Sequence, residues 1–393
     1  MLRCILLSVF ILCSFGANAD YIEPNERIQN YLNIRELPSR DASVIGELAK
    51  SERADLLDAG ILYYYKIRLS DGTEGYAHKG YSKRVSANLS SAGNGKLGLH
   101  FIDVGQGDST LVVCPNDKTI LVDAGSLSGY SSDAVREHIV PILSEREYRI
   151  DSLVVTHPDA DHYNLLTDAL NEIPVGKVFY VGAYDDYSRS FSSWLRGFSN
   201  SKRHRLSTSD RDPEGEPSTT INCGEAEVYV LAASVEATKS AKNAKSIVLM
   251  IRYKEFEAIL TGDATHDTED HIIDNYPAAF LDVDLLKVGH HGSSYTSTSK
   301  DWAKAISPQI AIVSAGNRNS HGHPRQVVLN RLEPYTIEVE EHSITESTGR
   351  RGEYIWHPDH NYKEAIFTTS TSGTIVVTSG GTGFEVNTSF FKE

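Results

Sequence analysis

Two histidines and two aspartates lie within one short segment, residues 156–162 (THPDADH). The segment directly follows an apolar run at residues 153–155 (LVV), which is typical of a buried β-strand. A loop that follows such a strand lies at the edge of a sheet, where ligands usually bind. Imidazole and carboxylate groups together suit Zn²⁺ and similar divalent ions. The alternative is a polar turn that merely caps the next helix.

Composition is that of an ordinary globular protein with an acidic surface. The 393 residues are 40% hydrophobic and 23% charged, and the formal net charge is −15. This charge excludes a global attraction to nucleic acid or to anionic membranes. It does not exclude a nucleic-acid substrate, because an enzyme needs only local positive charge or metal ions at its site.

The N-terminus has the pattern of a secretory signal. Arg3 precedes an apolar run at residues 5–15, and the sequence Ala-Asn-Ala at residues 17–19 predicts cleavage before residue 20. The apolar run is short for a membrane anchor, and we find no other segment that could span a bilayer. We therefore expect a secreted or periplasmic protein without a membrane span in the mature chain. Cys114 and Cys223 remain after cleavage and are either a disulfide or two lone thiols.

Residues 20–85 predict a small domain of short strands. Apolar and polar residues alternate on both sides of Asp71-Gly72, which is a strong hairpin signal. The order LNIR, VIGEL and YYYKIRLSDGTEGYAH, between residues 32 and 78, resembles a bacterial SH3-like domain. The resemblance implies a binding module, and we expect a cell-wall ligand, although the barrel could equally be a spacer. Residues 86–96 are rich in Ser, Ala, Asn and Gly and predict a linker.

From residue 97 the pattern changes to alternating strands and helices. The motifs VGQGDS (104–109) and LVDAG (121–125) precede THPDADH, and GHHGS (289–293) and GHP (322–324) follow it. In this order the motifs resemble the metallo-β-lactamase fold, and more narrowly the hydrolase domain of ComEC/Rec2-type competence proteins. The resemblance implies an α/β protein, with a metallo-β-lactamase αββα sandwich over residues 97–393 behind a small N-terminal all-β SH3-like barrel.

The resemblance also implies a first metal site. It places His157 and Asp159 on one ion and Asp263 between that ion and a second. The fold family usually adds a histidine between the two strand pairs, but residues 206–265 contain none. We therefore expect weaker binding at the first site, so that one or two ions are held. Zn²⁺ is the expected ion, and the many carboxylates keep Mn²⁺ open.

The second site, by the same resemblance, is complete. Asp161 and His162 are expected to bind the second ion, with His290 as its terminal ligand. Metal ions in such a site activate water and polarise a phosphoryl oxygen, so Asp161 is also expected to serve in catalysis. His291 or His323 could donate a proton to the leaving group or bind phosphate.

Further charged residues lie outside the expected ligand sets. Asp123 follows a strand and more plausibly orients the metal loop through hydrogen bonds than binds metal. The basic run at residues 202–205 (KRHR) is either solvated surface or a contact for a nucleic-acid backbone. Arg318 and Arg325 flank the GHP motif and are candidates for binding phosphate near the metals.

Three functions are compatible with these residues. The first is an exported metal-dependent phosphodiesterase, most plausibly a nuclease that acts on nucleic acid or another phosphodiester. The second is a hydrolase of small esters, lactones or β-lactams that uses the same metals. The third is a non-catalytic wall-binding protein whose hydrolase domain is degenerate. The complete second ligand set argues against the third function.

Overall fold

The computed structural model describes residues 21–25, 27–58, 64–85, 92–211, 217–218, 220–237 and 241–389. The predicted signal peptide and residues 86–91 of the predicted linker lie outside these ranges. Within the described residues, no helix has the length and apolar character needed to cross a membrane.

The N-terminal part forms one seven-stranded antiparallel sheet in the order β3-β2-β6-β5-β4-β1-β7. In β2 the inward residues Leu32 and Ile34 are buried and their neighbours face solvent, as expected for strands with one covered face. Ile22 and Ile67 complete the centre of this small core. The strands are β1 Tyr21–Pro24, β2 Tyr31–Arg35, β3 Val44–Ala49, β4 Ala54–Asp58, β5 Tyr64–Arg68, β6 Glu74–His78 and β7 Ser82–Val85.

The remaining chain alternates strands and helices, as the sequence predicted. Its strands are β8 Leu97–Phe101, β9 Thr110–Val113, β10 Thr119–Val122, β11 Ile150–Val155, β12 Val175–Tyr180, β13 Arg203–Arg205, β14 Glu227–Ala232, β15 Val248–Tyr253, β16 Phe256–Leu260, β17 Leu285–Lys287, β18 Ile310–Val313, β19 Glu338–Arg350, β20 Glu353–Glu364, β21 Ile366–Thr368, β22 Ile375–Ser379 and β23 Glu385–Thr388. Its helices are α1 Asp133–Ser144, α2 Ala160–Tyr163, α3 Leu166–Ala169, α4 Arg189–Arg196, α5 Ala241–Ala244, α6 His266–Asn275, α7 Ala278–Leu281, α8 Lys300–Ile306, α9 Gln326–Leu332 and α10 Thr369–Ser372.

Two mixed sheets form the larger part. One has eight strands in the order β13-β12-β11-β10-β9-β8-β22-β23, and the other has six in the order β14-β15-β16-β17-β18-β21. Strands of the two sheets share one buried core, in which Leu99 and Val154 of the first sheet cluster with Leu249 and Ile312 of the second. The outer face of each sheet is covered by helices, which form two further cores. This layering confirms the predicted αββα sandwich.

The central strands of the sandwich are buried on both faces. Strands β8, β9 and β10 contain only buried residues, which explains their unbroken apolar sequences. Helix α1 instead buries one stripe, including Val135, Ile139 and Leu143, at the spacing of an amphipathic helix. A long hairpin of β19 and β20 forms a separate two-stranded sheet.

A disulfide between Cys114 and Cys223 lies in the shared core. The two Cα atoms are 5.0 Å apart, and the bond closes a sequence separation of 109 residues. Cys114 directly follows β9 of the first sheet, and Cys223 precedes β14 of the second. The structure thus decides between the two interpretations of these cysteines in favour of the pair.

The loops with the predicted ligands follow the carboxyl ends of parallel strands. β10 and β11 run parallel, as do β16, β17 and β18. Asp123 follows β10, His157 follows β11, Asp263 follows β16, His290 follows β17 and His323 follows β18. Parallel strands bring their carboxyl ends to one edge, so both sheets deliver these side chains to the same end of the sandwich.

Candidate metal centre

The loop of residues 156–162 leads from β11 into the short helix α2. His157 and His162 are fully buried, and Asp159 and Asp161 are partly exposed. The backbone of this loop packs on Gly125, where a side chain would collide with the backbone of Asp161 and His162. Glycine in the LVDAG motif therefore serves close packing beneath the ligand loop.

Asp263 lies between two pairs of histidines and faces each pair with a different carboxylate oxygen. Oδ1 is 3.1 Å from Nε2 of His162 and 3.6 Å from Nε2 of His291. Oδ2 is 3.5 Å from Nε2 of His290 and 3.9 Å from Nε2 of His157. A carboxylate in this position can bridge two metal ions.

The outward nitrogens of His162 and His291 are held by oxygen atoms that only accept hydrogen bonds. Nδ1 of His162 donates to Oδ2 of Asp123 at 2.7 Å, and Nδ1 of His291 donates to the carbonyl oxygen of Ser314 at 2.9 Å. Because Nδ1 carries the proton in each neutral ring, Nε2 presents a lone pair to the centre. This arrangement is usual around metal-binding histidines.

Threonine hydroxyls hold the rings of His157 and His290 in the orientation just described for His162 and His291. Nδ1 of His157 is 3.2 Å from Oγ1 of Thr156, whose own proton goes to Asp123. Nδ1 of His290 is 2.6 Å from Oγ1 of Thr296, which donates to a neighbouring serine. Each hydroxyl is therefore free to accept from imidazole, and again Nε2 faces inward.

Within the described part of the chain, the inward atoms have no hydrogen-bond partner although they are buried. They are Nε2 of His157, His162 and His291, and Oδ1 of Asp263. Lone pairs of nitrogen that face carboxylate oxygens repel each other unless a cation lies between them. The donor set therefore fits a divalent metal. Among the described residues, four groups have ligand atoms within 4.8 Å of one another: His157/His162/Asp263, Asp161/His162/His291, Asp108/Asp123/His162 and Asp108/Asp263/His291.

Electrostatics point the same way. Burial raises the pKa of Asp263, but His290, His162 and His291 outweigh it and hold that pKa well below its ordinary value. Burial lowers the pKa of His162, but Asp263 and Asp123 outweigh it and raise that pKa well above its ordinary value. The carboxylates thus attract positive charge into the centre, which a proton or a metal ion can provide.

Consecutive residues His290 and His291 reach the centre from opposite sides of Asp263. Both have left-handed backbone conformations, with φ of 47° and 54°. Nε2 of His291 is 3.3 Å from Oδ2 of Asp161, so His291 lies with Asp161 and His162. His290 lies instead on the Oδ2 side of Asp263, together with His157. The sequence had placed His290, rather than His291, with Asp161 and His162.

Asn243 and Lys242 occupy the region in which the fold family's further histidine was expected. Nδ2 of Asn243 is 3.3 Å from Oδ2 of Asp263 and 3.4 Å from Nε2 of His290. Nζ of Lys242 is 3.4 Å from Oδ1 of Asp159. Sequence reasoning missed both residues, although their position just before the buried strand β15 was the available signal. Both lie on or beside the first ligand group, where they supply hydrogen-bond donors rather than a ligand nitrogen.

A buried ion pair joins the VGQGDS loop to the strand before GHHGS. Nζ of Lys287 contacts Oδ2 of Asp108, and both side chains are almost fully buried. The same carboxylate oxygen lies 3.7 Å from Nδ1 of His162. A lysine within the apolar strand β17 was the sequence signal, because a buried charge requires a partner. The pair positions the loop that faces the centre.

The GHP region supplies one residue to the centre. The ring of His323 lies 5.6 Å from that of His290 and 6.4 Å from that of His291, and its Nδ1 is buried without a partner. Arg325 does not face the centre, because its guanidinium donates to Ser347 Oγ and to backbone oxygens of the β19–β20 hairpin. Arg318 is exposed. The predicted phosphate role of Arg325 is therefore wrong.

Comparison with known proteins gives the family. Residues 102–316, more than half of the chain, match the metallo-beta-lactamase superfamily. The chain belongs to the metallo-beta-lactamase superfamily. Residues 30–83 match the bacterial SH3 domain, so the predicted order of the two domain types is confirmed. Membership of the metallo-beta-lactamase superfamily supports a metal-dependent hydrolase with divalent ions at the centre described above.

The chain is similar to part of several longer curated proteins. ComE operon protein 3 of Bacillus subtilis (strain 168) is 30% identical over 269 residues, which are 64% of this chain and 32% of that protein. Recombination protein 2 of Haemophilus influenzae is 28% identical over 246 residues, 62% of this chain and 27% of that protein. The chain thus spans about a third of the length of these relatives. Among solved structures, the diiron β-hydroxylase CmlA of Streptomyces venezuelae has a TM-score of 0.39 at 18% identity and covers 61% of this chain and 50% of its own.

Proposed function

We propose that the protein is an exported, metal-dependent phosphodiesterase that cleaves nucleic acid. The observation that carries the proposal is Asp263, whose two carboxylate oxygens each face a pair of imidazole lone pairs. The name of one relative, Recombination protein 2, favours nucleic acid over lactones or β-lactams. Activity on DNA or RNA is our inference for this chain.

The first ion would be held on the Oδ2 side of Asp263. His157 and Asp159 are its further ligands, as the sequence suggested, and we add His290 because Nε2 of that residue faces the same carboxylate oxygen. Lys242 beside Asp159 reduces the negative charge of this group. We therefore expect weaker binding here than at the second site, which leaves one or two ions in the protein.

The second ion would be held on the Oδ1 side. We assign it to Asp161, His162 and His291, because Nε2 of His291 approaches both Asp161 and Asp263. A divalent ion in this set supplies Lewis acidity and a water of lowered pKa. Zn²⁺ suits the imidazoles, and Mn²⁺ suits the carboxylates.

Residues of the chain perform the remaining steps. The hydrogen bond from His162 to Asp123 fixes the ring whose Nε2 faces Asp263 and would bind the second ion. His323 lies at the edge of the centre with an unpartnered nitrogen, so it is the group we assign to protonate the leaving oxygen. Burial, with the charges of His290 and His291 adding to it, holds the pKa of His323 well below its ordinary value, so this proton must be acquired as negative phosphate binds.

Export and wall binding complete the proposal. The disulfide between Cys114 and Cys223 supports an oxidising compartment, where such bonds persist. We propose that the SH3 domain holds the enzyme on a cell-wall ligand. Co-sedimentation of the full chain with purified peptidoglycan tests this part, and a chain that stays in the supernatant would argue for a spacer.

A substrate panel tests the proposed reaction. Metal-loaded protein should cleave linear or circular DNA, RNA or bis-aryl phosphates, and His162→Ala should abolish cleavage. His271→Ala, on the outer helix α6, is the matched control and should retain the rate. If the protein cleaves none of these phosphodiesters, the proposal is overturned. Hydrolysis of nitrocefin or a lactone alone would favour the second function.

A further inference from the structure

A basic groove lies between the edge strands of the two sheets. β13 is the edge strand of the eight-stranded sheet, and β14 is the edge strand of the six-stranded sheet. The cavity between them has a volume of about 540 Å³. Its polar lining includes Arg203, His204 and Arg205 of β13.

The charge of this groove is opposite to that of the whole chain. Arg203, Arg205 and Arg211 line it, and Asp210 is the only acid among the described lining residues. The guanidinium of Arg203 already donates to the hydroxyl of Tyr184 and to Oδ1 of Asn200, which leaves Arg205 and Arg211 as the arginines for an external ligand. The carboxylate of Asp210 is already engaged, because it accepts hydrogen bonds from the backbone nitrogen and the hydroxyl of Ser207 at 2.7 Å each. A local positive surface on a chain of net charge −15 attracts polyanions.

Local contacts hold the basic strand in place. The ring of His204 stacks on Phe179 with centroids 4.9 Å apart, which fixes it against the core. His204 lines the groove, and its Nε2 is buried and has no hydrogen-bond partner among the residues that the structure describes. Nζ of Lys177 lies nearby on Thr220 of the groove wall and adds positive charge. Arg205 is exposed on the same strand.

The groove and the metal centre lie near the same end of the first sheet, where strands β11, β12 and β13 have their carboxyl ends. Val155 pairs with Tyr180, and Tyr180 pairs with Arg205, across three parallel strands. With adjacent strands about 4.8 Å apart, the Cα of Arg205 is about 10 Å from that of Val155. His157 follows Val155 by two residues, so the basic strand ends beside the ligand loop.

We propose that this groove, through Arg205 and Arg211, binds the phosphate backbone of a nucleic-acid strand whose scissile phosphate lies at the metal centre. The inference rests on the proposed phosphodiesterase function and names the part of the chain that holds the polymer. Arginine provides charge and hydrogen bonds to phosphate without reading sequence.

The test separates binding of the polymer from the reaction. Anisotropy of a labelled single-stranded oligonucleotide is measured in EDTA, as a function of salt, for wild type and for Arg205→Glu/Arg211→Glu. Lys300→Glu/Lys304→Glu, on the exposed face of α8, carries the same change of net charge and is the matched control. Turnover of bis(4-nitrophenyl) phosphate by metal-loaded protein is measured for all three.

We expect the groove variant to bind at least tenfold more weakly and the control to bind within twofold of wild type. The salt dependence, as the slope of log K against log salt, should fall by about 1.4 for two lost phosphate contacts. Turnover of the small phosphodiester should be unchanged. Equal binding by the groove variant and the control would overturn the inference.

Two further results keep the test decisive. The single change Arg205→Glu affects an exposed residue, so it provides a folded variant if the double variant is unstable; it should weaken binding at least threefold. If no phosphodiester is cleaved but the groove variant still loses binding, the proposed reaction fails and the groove remains a nucleic-acid site. If cleavage occurs and binding is unchanged, the groove inference alone fails.

Discussion

Asp123 accepts a hydrogen bond from Nδ1 of His162 at 2.7 Å, and this contact determines which imidazole nitrogen faces Asp263. The remaining oxygen of Asp123 accepts from the backbone nitrogen of Thr156 at 2.8 Å. Asp123 therefore holds both the ring and the loop that carries it, as the sequence analysis expected for a residue that orients the metal ligands.

Replacement of Asp123 by Asn should weaken metal binding by about 10- to 100-fold, because the amide stabilises the orientation of His162 less well. Asparagine tolerates the left-handed backbone of this position, where φ is 59°, so the fold should be retained. Competition with a chelator of known affinity measures the change. Affinity equal to that of wild type would show that His162 is positioned without Asp123.

Asn243→His should strengthen the first metal site. Asn243 contacts both Asp263 and His290, so an imidazole at this position would add a further nitrogen ligand on the Oδ2 side of Asp263. We expect at least tenfold tighter binding of the weaker ion, measured by isothermal titration with Zn²⁺. Asn243→Ala is the control for loss of the amide and should not tighten binding. A histidine variant that binds as weakly as the alanine variant would contradict the assignment.

Several ligands were predictable because their signal is local. Residues 156–162 and Asp263 each follow a buried strand, and strand ends can be recognised from apolar runs. The sides taken by His290 and His291 were not predictable in this way. Two consecutive left-handed residues direct the rings to opposite oxygens of Asp263, and no periodicity indicates such a conformation.

Contacts between distant segments were also beyond the sequence. Lys287 and Asp108 are 179 positions apart, and only the packing of the two sheets brings them together. Cys114 and Cys223 have a separation of 109 residues, so the sequence left two interpretations open. Arg325 was a candidate for binding phosphate because it adjoins GHP, but its guanidinium donates to the β19–β20 hairpin.

Removal of the disulfide should destabilise the hydrolase domain. The bond closes a loop of 109 residues, and loops of this size correspond to about 4–5 kcal/mol of lost unfolded-state entropy. Cys114→Ala/Cys223→Ala should therefore unfold at lower denaturant concentration, and wild type should match it when reductant is present. Equal unfolding midpoints with and without reductant would contradict a structural bond.

Acid should destabilise the fold through His138. Nε2 of His138 lies 3.0 Å from Nδ1 of His100, and burial, with Arg84 adding to it, lowers the pKa of His138 from 6.5 to about 3. The unfolded chain takes up this proton below pH about 6.5, but the folded chain does not. Stability is therefore complete above that pH and is lost as the pH falls towards about 3, by about 2 kcal/mol at pH 5.

His138→Gln removes the titrating ring and retains a polar side chain beside His100. Its free energy of unfolding should fall by about 2 kcal/mol less than that of wild type between pH 7 and pH 5. Urea unfolding at the two pH values measures the difference. Parallel losses in the two proteins would show that His138 is not a source of the acid sensitivity.

The central claim is that metal held around Asp263 drives cleavage of nucleic acid. The most direct measurement combines elemental analysis of bound metal with the DNA-cleavage rate, for wild type and Asp263→Asn prepared in parallel. We predict one or two ions and metal-dependent cleavage in wild type, and loss of both in Asp263→Asn. Metal-loaded wild type that leaves DNA and RNA intact, or an Asp263→Asn protein that cleaves at the wild-type rate, would contradict the claim.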